Sequence, residues 1–148
     1  MISKLEILTA NSKEKKNFKN HDNQKSGEFE IIPLLSNPGS GNTWTRILLE
    51  DITGIYTGSI YSDGSLARGG FKGESTNPLK GQTMIVKSHF PSNQRVMDAA
   101  KALIFVLRNP YDAIIAEYKR RRGHGHTSTV KESVFKEKMW FQVSLTIN

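Results

Sequence analysis

Ser36-Asn37-Pro38-Gly39-Ser40-Gly41-Asn42-Thr43-Trp44 is the stretch on which the fold of this chain turns. Just before it, residues 29–35 form a short run of β-formers and aliphatics closed by an Asn-Pro-Gly turn, the pattern of a buried strand. Just after the turn, residues 42–52 place Trp44, Ile47, Leu48 and Ile52 at helical spacing, and Gly54 stands where a C-cap glycine would end the helix. The unit reads as strand, tight loop, helix. Glycines and small hydroxyl residues in such a loop let backbone N–H groups gather round an oxyanion, and the helix dipole favours negative charge at the same point. The competing reading is an ordinary glycine-rich connection, because short glycine motifs recur by chance. A nucleotide-hydrolysing loop would run Gly-x-x-x-x-Gly-Lys-Ser/Thr, but here Ser36 opens the stretch and Asn42 stands where the lysine belongs. The loop therefore points away from NTP hydrolysis and toward a metal-free relative, since without that lysine it can still bind a phosphate through backbone donors.

Further along, residues 83–87 read as a second strand ending at Ser88-His89-Phe90-Pro91, residues 93–101 as a short helix, and residues 102–108 as a third strand. Pro110 suits the first turn of a helix over 110–122, with Ile114, Ile115 and Tyr118 as its apolar face and Gly123 as its stop. Strands alternating with helices predict an α/β fold: a P-loop-like, three-layer arrangement with a mostly parallel sheet flanked by helices and right-handed crossovers. Residues 54–80 are rich in Gly, Ser and Asn, show no sustained period, and read as a long functional loop carrying Tyr56, Tyr61 and Phe71. Residues 1–27 read as a flexible polar arm, since the lysine- and asparagine-rich stretch 12–27 has a single Phe to bury. Residues 28–143 are expected to form the α/β domain. Within it, 130–143 is a weakly amphipathic stretch whose Val134, Phe135, Met139 and Trp140 suit core packing, and 144–148 is a tail without a readable signal.

With 148 residues there is room for one core, so one function is expected. The absence of cysteine excludes a disulfide framework, a thiolate nucleophile and cysteine-based metal sites. A net charge of +7 and a pI near 9.7 favour a polyanionic partner without choosing among nucleic acid, an anionic membrane and a phosphate-rich small molecule. The longest apolar run, 102–107, is far short of the about 20 residues a membrane-spanning helix needs, so no membrane span is expected and the chain reads as soluble.

In open α/β sheets ligands bind at the carboxyl ends of the strands, where this chain presents the 36–43 loop, Lys87-Ser88-His89 and Arg108-Asn109. Lys87 and His89 are two residues apart, so they project to one side if the strand persists. A neutral imidazole there can take a proton from a hydroxyl while the ammonium stabilises a leaving oxygen; a hydrogen-bonded structural histidine is the bland alternative. Arg108 ends an apolar strand and can grip a phosphate through two parallel hydrogen bonds, or pair structurally with Asp112. The run Lys119-Arg120-Arg121-Arg122 is a solvated helix end that also suits screening of an anionic substrate. His124 and His126 alone make a weak zinc signal, and no metal is expected. Little aromatic interleaving accompanies the basic run, so nucleic acid is not the expected partner.

Together these segments resemble a family. Ser36 to Trp44 resembles the 5′-phosphosulfate loop of sulfotransferases that use 3′-phosphoadenosine 5′-phosphosulfate (PAPS), and Phe105-Val106-Leu107-Arg108-Asn109-Pro110-Tyr111-Asp112 resembles their 3′-phosphate motif. Lys87-Ser88-His89 lies between the two, where these enzymes carry a Lys-x-His segment supplying the catalytic base. The likeness is closer to the sulfotransferase domain of WSC-domain-containing (WSCD) proteins, through Pro38 to Trp44, Thr53 to Ser59 and Arg108 to Tyr111, and covers about residues 30–140. The resemblance implies transfer of a sulfuryl group from PAPS to a hydroxyl of a glycan or sialic acid, with a Golgi location if a longer form carries an amino-terminal anchor. It implies that Gly39, Ser40, Gly41, Asn42, Thr43, Trp44 and Arg108 hold the donor and that His89 and Lys87 carry the chemistry. In many soluble sulfotransferases a lysine stands at the place of Gly39 and a serine at that of Ala116. No counterpart of the family's glycine-rich closing segment follows Arg122, which implies a truncated domain; a non-catalytic nucleotide- or polyanion-binding remnant is the alternative.

Overall fold

A computed structural model describes residues 25–123, 130, 131, 133 and 135. The expectations for most of the polar arm, for His124 and His126, for most of 130–143 and for the tail fall outside the described residues.

The architecture is α/β. In chain order the described elements are β1 (Pro33–Ser36), α1 (Asn42–Thr53), β2 (Gly58–Ser59), α2 (Gly64–Arg68), a 3₁₀ turn (Lys72–Ser75), β3 (Val86–His89), α3 (Gln94–Asp98), β4 (Ile104–Val106) and α4 (Pro110–Arg122). The four strands form one parallel sheet in the order β2-β3-β1-β4, with helices flanking it. All four residues of β1 are buried, and β1 opens on Pro33, where a missing N–H removes only a terminal ladder bond. The strand starts four residues later than the apolar run suggests. Phe29 and Ile31 instead bridge outward, Phe29 N–H to the Gly81 carbonyl at 2.9 Å and Lys101 N–H to the Ile31 carbonyl at 3.1 Å.

The register matters most for function. Ser36 pairs with His89 on one side and with Val106 on the other, so the carboxyl ends of β1, β3 and β4 finish at one level. Everything that follows these strands begins at the same edge.

The α1 limits agree with the sequence pattern, ending on Gly54 at φ 66° with its N–H on the Glu50 carbonyl. Its orientation does not. The residues it buries are Asn42, Arg46 and Glu50, while Trp44, Leu48 and Ile52 are 39, 43 and 80% exposed. The inward face is polar because every charge on it is answered. Arg46 donates from Nε to Thr57 Oγ1 at 2.7 Å, from Nη2 to the Thr57 carbonyl at 3.1 Å and from Nη1 to Glu74 Oε2 at 2.7 Å. Its guanidinium also lies 4.4 Å from the Phe71 ring centroid. Glu50 Oε1 accepts from the Thr57 backbone at 2.8 Å and from the Thr57 hydroxyl. Burial pushes the Glu50 carboxyl up, and the Thr57 hydrogen bonds and Arg46 oppose that push.

Those partners come from 54–80, which is not a structureless loop. It contributes edge strand β2, helix α2 capped by Asp63, the 3₁₀ turn, and the buried residues Tyr56, Thr57, Leu66, Phe71 and Glu74. At the other edge β4 is uncovered, with Ile104 and Phe105 40% and 42% exposed. Helix α4 matches its expected limits: Asn109 caps it by accepting from Tyr111 N–H at 3.0 Å, and Pro110 opens it. Of its expected apolar face Tyr118 is wholly buried, but Ala113 and Glu117 complete the inward side and Ile114 and Ile115 are only half-buried.

Candidate functional site

The loop after β1 is shaped by two glycines. Gly39 sits at φ +81°, and a Cβ there would lie 2.0 Å from the Ala113 carbonyl oxygen. Gly41 is the N-cap of α1 at φ +97° with open space around it, so its backbone angle alone calls for glycine. Gly41 has no side chain with which to cap α1, and the first turn of the helix opens at the cavity. The glycine at 39 follows from the backbone of α4 passing where a side chain would begin.

A cavity of about 610 Å³ opens over this loop. Gly39, Gly41, Asn42, Thr43 and Trp44 line it, as do Lys87, His89 and Arg108, so three separate segments meet at one place. Ser40 does not line it and is buried. Ala116 does, which leaves the place of the family's serine without a hydroxyl.

Lys87 and His89 are neighbours on one side of β3. Lys87 is buried, and desolvation, followed by the charge of Arg46, brings its ammonium down to about 8; its Nζ reaches Thr43 Oγ1 at 3.5 Å. Burial, and next the Lys87 charge, hold the His89 imidazole below its ordinary value, so it is neutral at pH 7 and able to accept a proton. His89 Nδ1 lies 3.1 Å from the Ser36 carbonyl oxygen and 3.1 Å from Ser36 Oγ. A carbonyl only accepts, so Nδ1 carries the hydrogen and Nε2 keeps the free lone pair. The imidazole is thus set as a base.

Arg108 donates from Nη1 to the Gly39 carbonyl at 3.0 Å, not to Asp112, so it is tied to the loop and faces the same cavity. The basic end of α4 is also drawn in. Arg120 grips Glu117 through two bonds of 2.6 and 2.7 Å, and Arg121 adds one of 2.8 Å. Burial would raise the Glu117 carboxyl, but the two arginines outweigh it and hold it below the usual value. Both arginines line the cavity, and the charge of Arg120 is felt at Lys87 and His89.

Of the other residues lining the cavity, sequence reasoning named Tyr61 only as part of a functional loop and missed Asp63 and Glu117. Tyr61 accepts from His89 N–H at 2.9 Å, and its ring lies 5.5 Å from the imidazole and 5.7 Å from Lys87 Nζ. The one signal for it was a tyrosine inside a small-residue stretch. Asp63 and Glu117 gave none, since a lone acid on a helix end or face is ordinary.

Such an arrangement defines a class: parallel α/β domains whose strand ends, lined with cations, open over a glycine-rich turn. No protein-family model matches the chain, and no solved structure matches it. Among curated proteins it is 44% identical over 108 residues to WSCD family member AAEL009094 of Aedes aegypti, covering 72% of this chain and 33% of that protein. It is 43% identical over 115 residues to WSCD family member GA21586 of Drosophila pseudoobscura pseudoobscura, and 42% identical over 115 residues to WSCD family member CG9164 of Drosophila melanogaster, covering 76% of this chain and 35% of each. The chain is a homologue of WSCD family members, as its motifs indicate, and spans about a third of the length of the curated relatives it matches. No helix among the described residues is long and apolar enough to cross a membrane.

Proposed function

We propose that this chain carries the donor-binding and catalytic part of a PAPS-dependent sulfotransferase acting on a hydroxyl of a glycan, with sialic acid the acceptor suggested by the resemblance. The observation that carries this reading is the meeting, in one cationic cavity, of the loop after β1, the Lys87–His89 pair and Arg108. In this reading the start of α1 cradles the 5′-phosphosulfate and Arg108 grips the 3′-phosphate. His89 Nε2 takes the proton of the acceptor hydroxyl as its oxygen bonds to sulfur. The bond from sulfur to the bridging phosphate oxygen breaks, that oxygen keeps the electron pair, and Lys87 stabilises its charge. The products are a sulfate ester and 3′-phosphoadenosine 5′-phosphate. An isolated anion in water is strongly hydrated; here a buried ammonium and helix N–H groups replace that shell without reorganising.

Thermal unfolding with and without 3′-phosphoadenosine 5′-phosphate tests the donor site, with ATP and Arg108→Ala as controls. At about 100 times its dissociation constant the ligand adds roughly 2.7 kcal/mol of stability and raises the midpoint. A rise that ATP does not match and that Arg108→Ala abolishes supports the reading; a folded chain with no shift removes it. Loss of sulfate transfer in His89→Ala, with ligand binding retained, supports the base assignment, whereas unchanged turnover removes it.

A further inference from the structure

The side chain at the place of the missing loop lysine has a different task. Asn42 is buried, and its Nδ2 lies 2.8 Å from the Leu34 carbonyl, 3.1 Å from Ser36 Oγ and 3.3 Å from the Ser88 carbonyl. Two amide hydrogens are thus shared among three acceptors, on β1 and on β3, while Asn42 Oδ1 has no hydrogen-bond donor among the described residues. A residue serving packing alone would not bury a polar oxygen without a partner. The amide is there for what its nitrogen holds. What it holds flanks His89: Ser88 precedes it in the chain, and Ser36 is its register partner, with both oxygens 3.1 Å from Nδ1.

We propose that Asn42 is a positioning residue for His89: it ties the ends of β1 and β3 together and directs Ser36 so that the imidazole is held with Nδ1 protonated and Nε2 free. A serine hydroxyl is ambidextrous. If it turns to donate to Nδ1 it selects the opposite tautomer, whose Nε2 carries a hydrogen and cannot act as a base. Accepting from Asn42 does not stop the hydroxyl from donating, so the tautomer is kept by the Ser36 carbonyl, which only accepts; the Leu34 and Ser88 bonds keep the two strand ends, and with them that carbonyl and Nδ1, from drifting apart.

This role rests on His89 being the base only for its catalytic meaning; the tautomer itself is measurable without turnover. In the full chain labelled with ¹⁵N, the His89 ring signals, identified by their loss in His89→Ala, report which nitrogen is protonated above the imidazole pKa. The parent shows hydrogen on Nδ1. In Asn42→Ala the ratio of that tautomer to the other falls about tenfold, the equivalent of one ordinary hydrogen bond, whereas Ser36→Ala, which keeps the carbonyl and removes the one group able to donate to Nδ1, leaves the ratio at the parent's value or above it. Thr45→Ala loosens the same helix turn by removing the bond to the Gly41 carbonyl, and leaves the ratio as in the parent. A parent with hydrogen on Nε2, an unchanged ratio in Asn42→Ala, a fall in Ser36→Ala, or an equal fall in Thr45→Ala overturns the proposal. Should Asn42→Ala not fold, Asn42→Leu, of similar size but without amide hydrogens, is read in its place with the same expected fall. Where turnover is detected, kcat falls in Asn42→Ala while the KM for donor stays. A tautomer shift without sulfate transfer in the parent leaves the positioning role intact and sinks the proposed activity.

Discussion

Glu74 and Glu117 are both almost wholly buried and both bonded to arginine, yet their arginines differ. Arg46 is as enclosed as Glu74, whereas Arg120 and Arg121 keep 42 and 48% of their side chains exposed. The first pair is sealed on all sides by Thr57 and Phe71, and locks α1 to the 54–80 segment. The second has one partner behind it and the cavity in front. An ion pair that is closed fixes where the loop stands; one that is half open leaves positive potential for a ligand. The same two residue types thus serve as a brace in one place and as a cavity wall in the other.

The largest effect should come from breaking the closed pair. Glu74→Ala leaves the Arg46 charge buried without its carboxylate and is expected to lose about 3–5 kcal/mol in urea unfolding; a loss below that of a surface substitution would mean Arg46 finds water. Lys87 sharpens the contrast as a buried cation whose ammonium is lowered from 10.5 to about 8. The unfolded chain binds that proton more tightly, so this group makes stability rise with pH between about 8 and 10.5. Lys87→Met is therefore expected to stabilise the fold at pH 7 by roughly 3 kcal/mol while ending the proposed sulfate transfer, with the gain fading between about pH 8 and 10.5 and gone above that. Chemical denaturation at pH 7 and above pH 10.5 checks both halves.

Gly39→Ala pushes a methyl group into the α4 backbone and should cost about 1–3 kcal/mol, with weaker donor binding in titration calorimetry. Smallest is the open pair: Glu117→Gln leaves arginines that water can reach, so less than about 1 kcal/mol is expected. A loss as large as that of Glu74→Ala would erase the distinction between brace and wall.

How much the sequence disclosed follows the same division. The strand-loop-helix around 36–54, the limits of α4 and the meeting of Lys87, His89 and Arg108 were all legible, because glycine, proline and capping residues act on their immediate neighbours. The inward face of α1 was not. Apolar periodicity selects Trp44, Leu48 and Ile52, and nothing local reveals that Arg46 and Glu50 meet Thr57 and Glu74 across 7 to 28 residues of chain. For the same reason 54–80 looked like a loop: its elements are two to five residues long, and part of its burial is polar.

Gly39 and Ala113 also bear on how relatives of this domain are compared. The space that a side chain at 39 would need is filled by the carbonyl of 113, so loop and helix are a single decision recorded at two places in the chain. A homologue with a lysine at the first position must carry its helix farther from the loop, and transplanting that lysine alone would dislodge the helix bearing Arg120 and Arg121. Loops of the two kinds are then interchangeable only together with the helix behind them, never residue by residue.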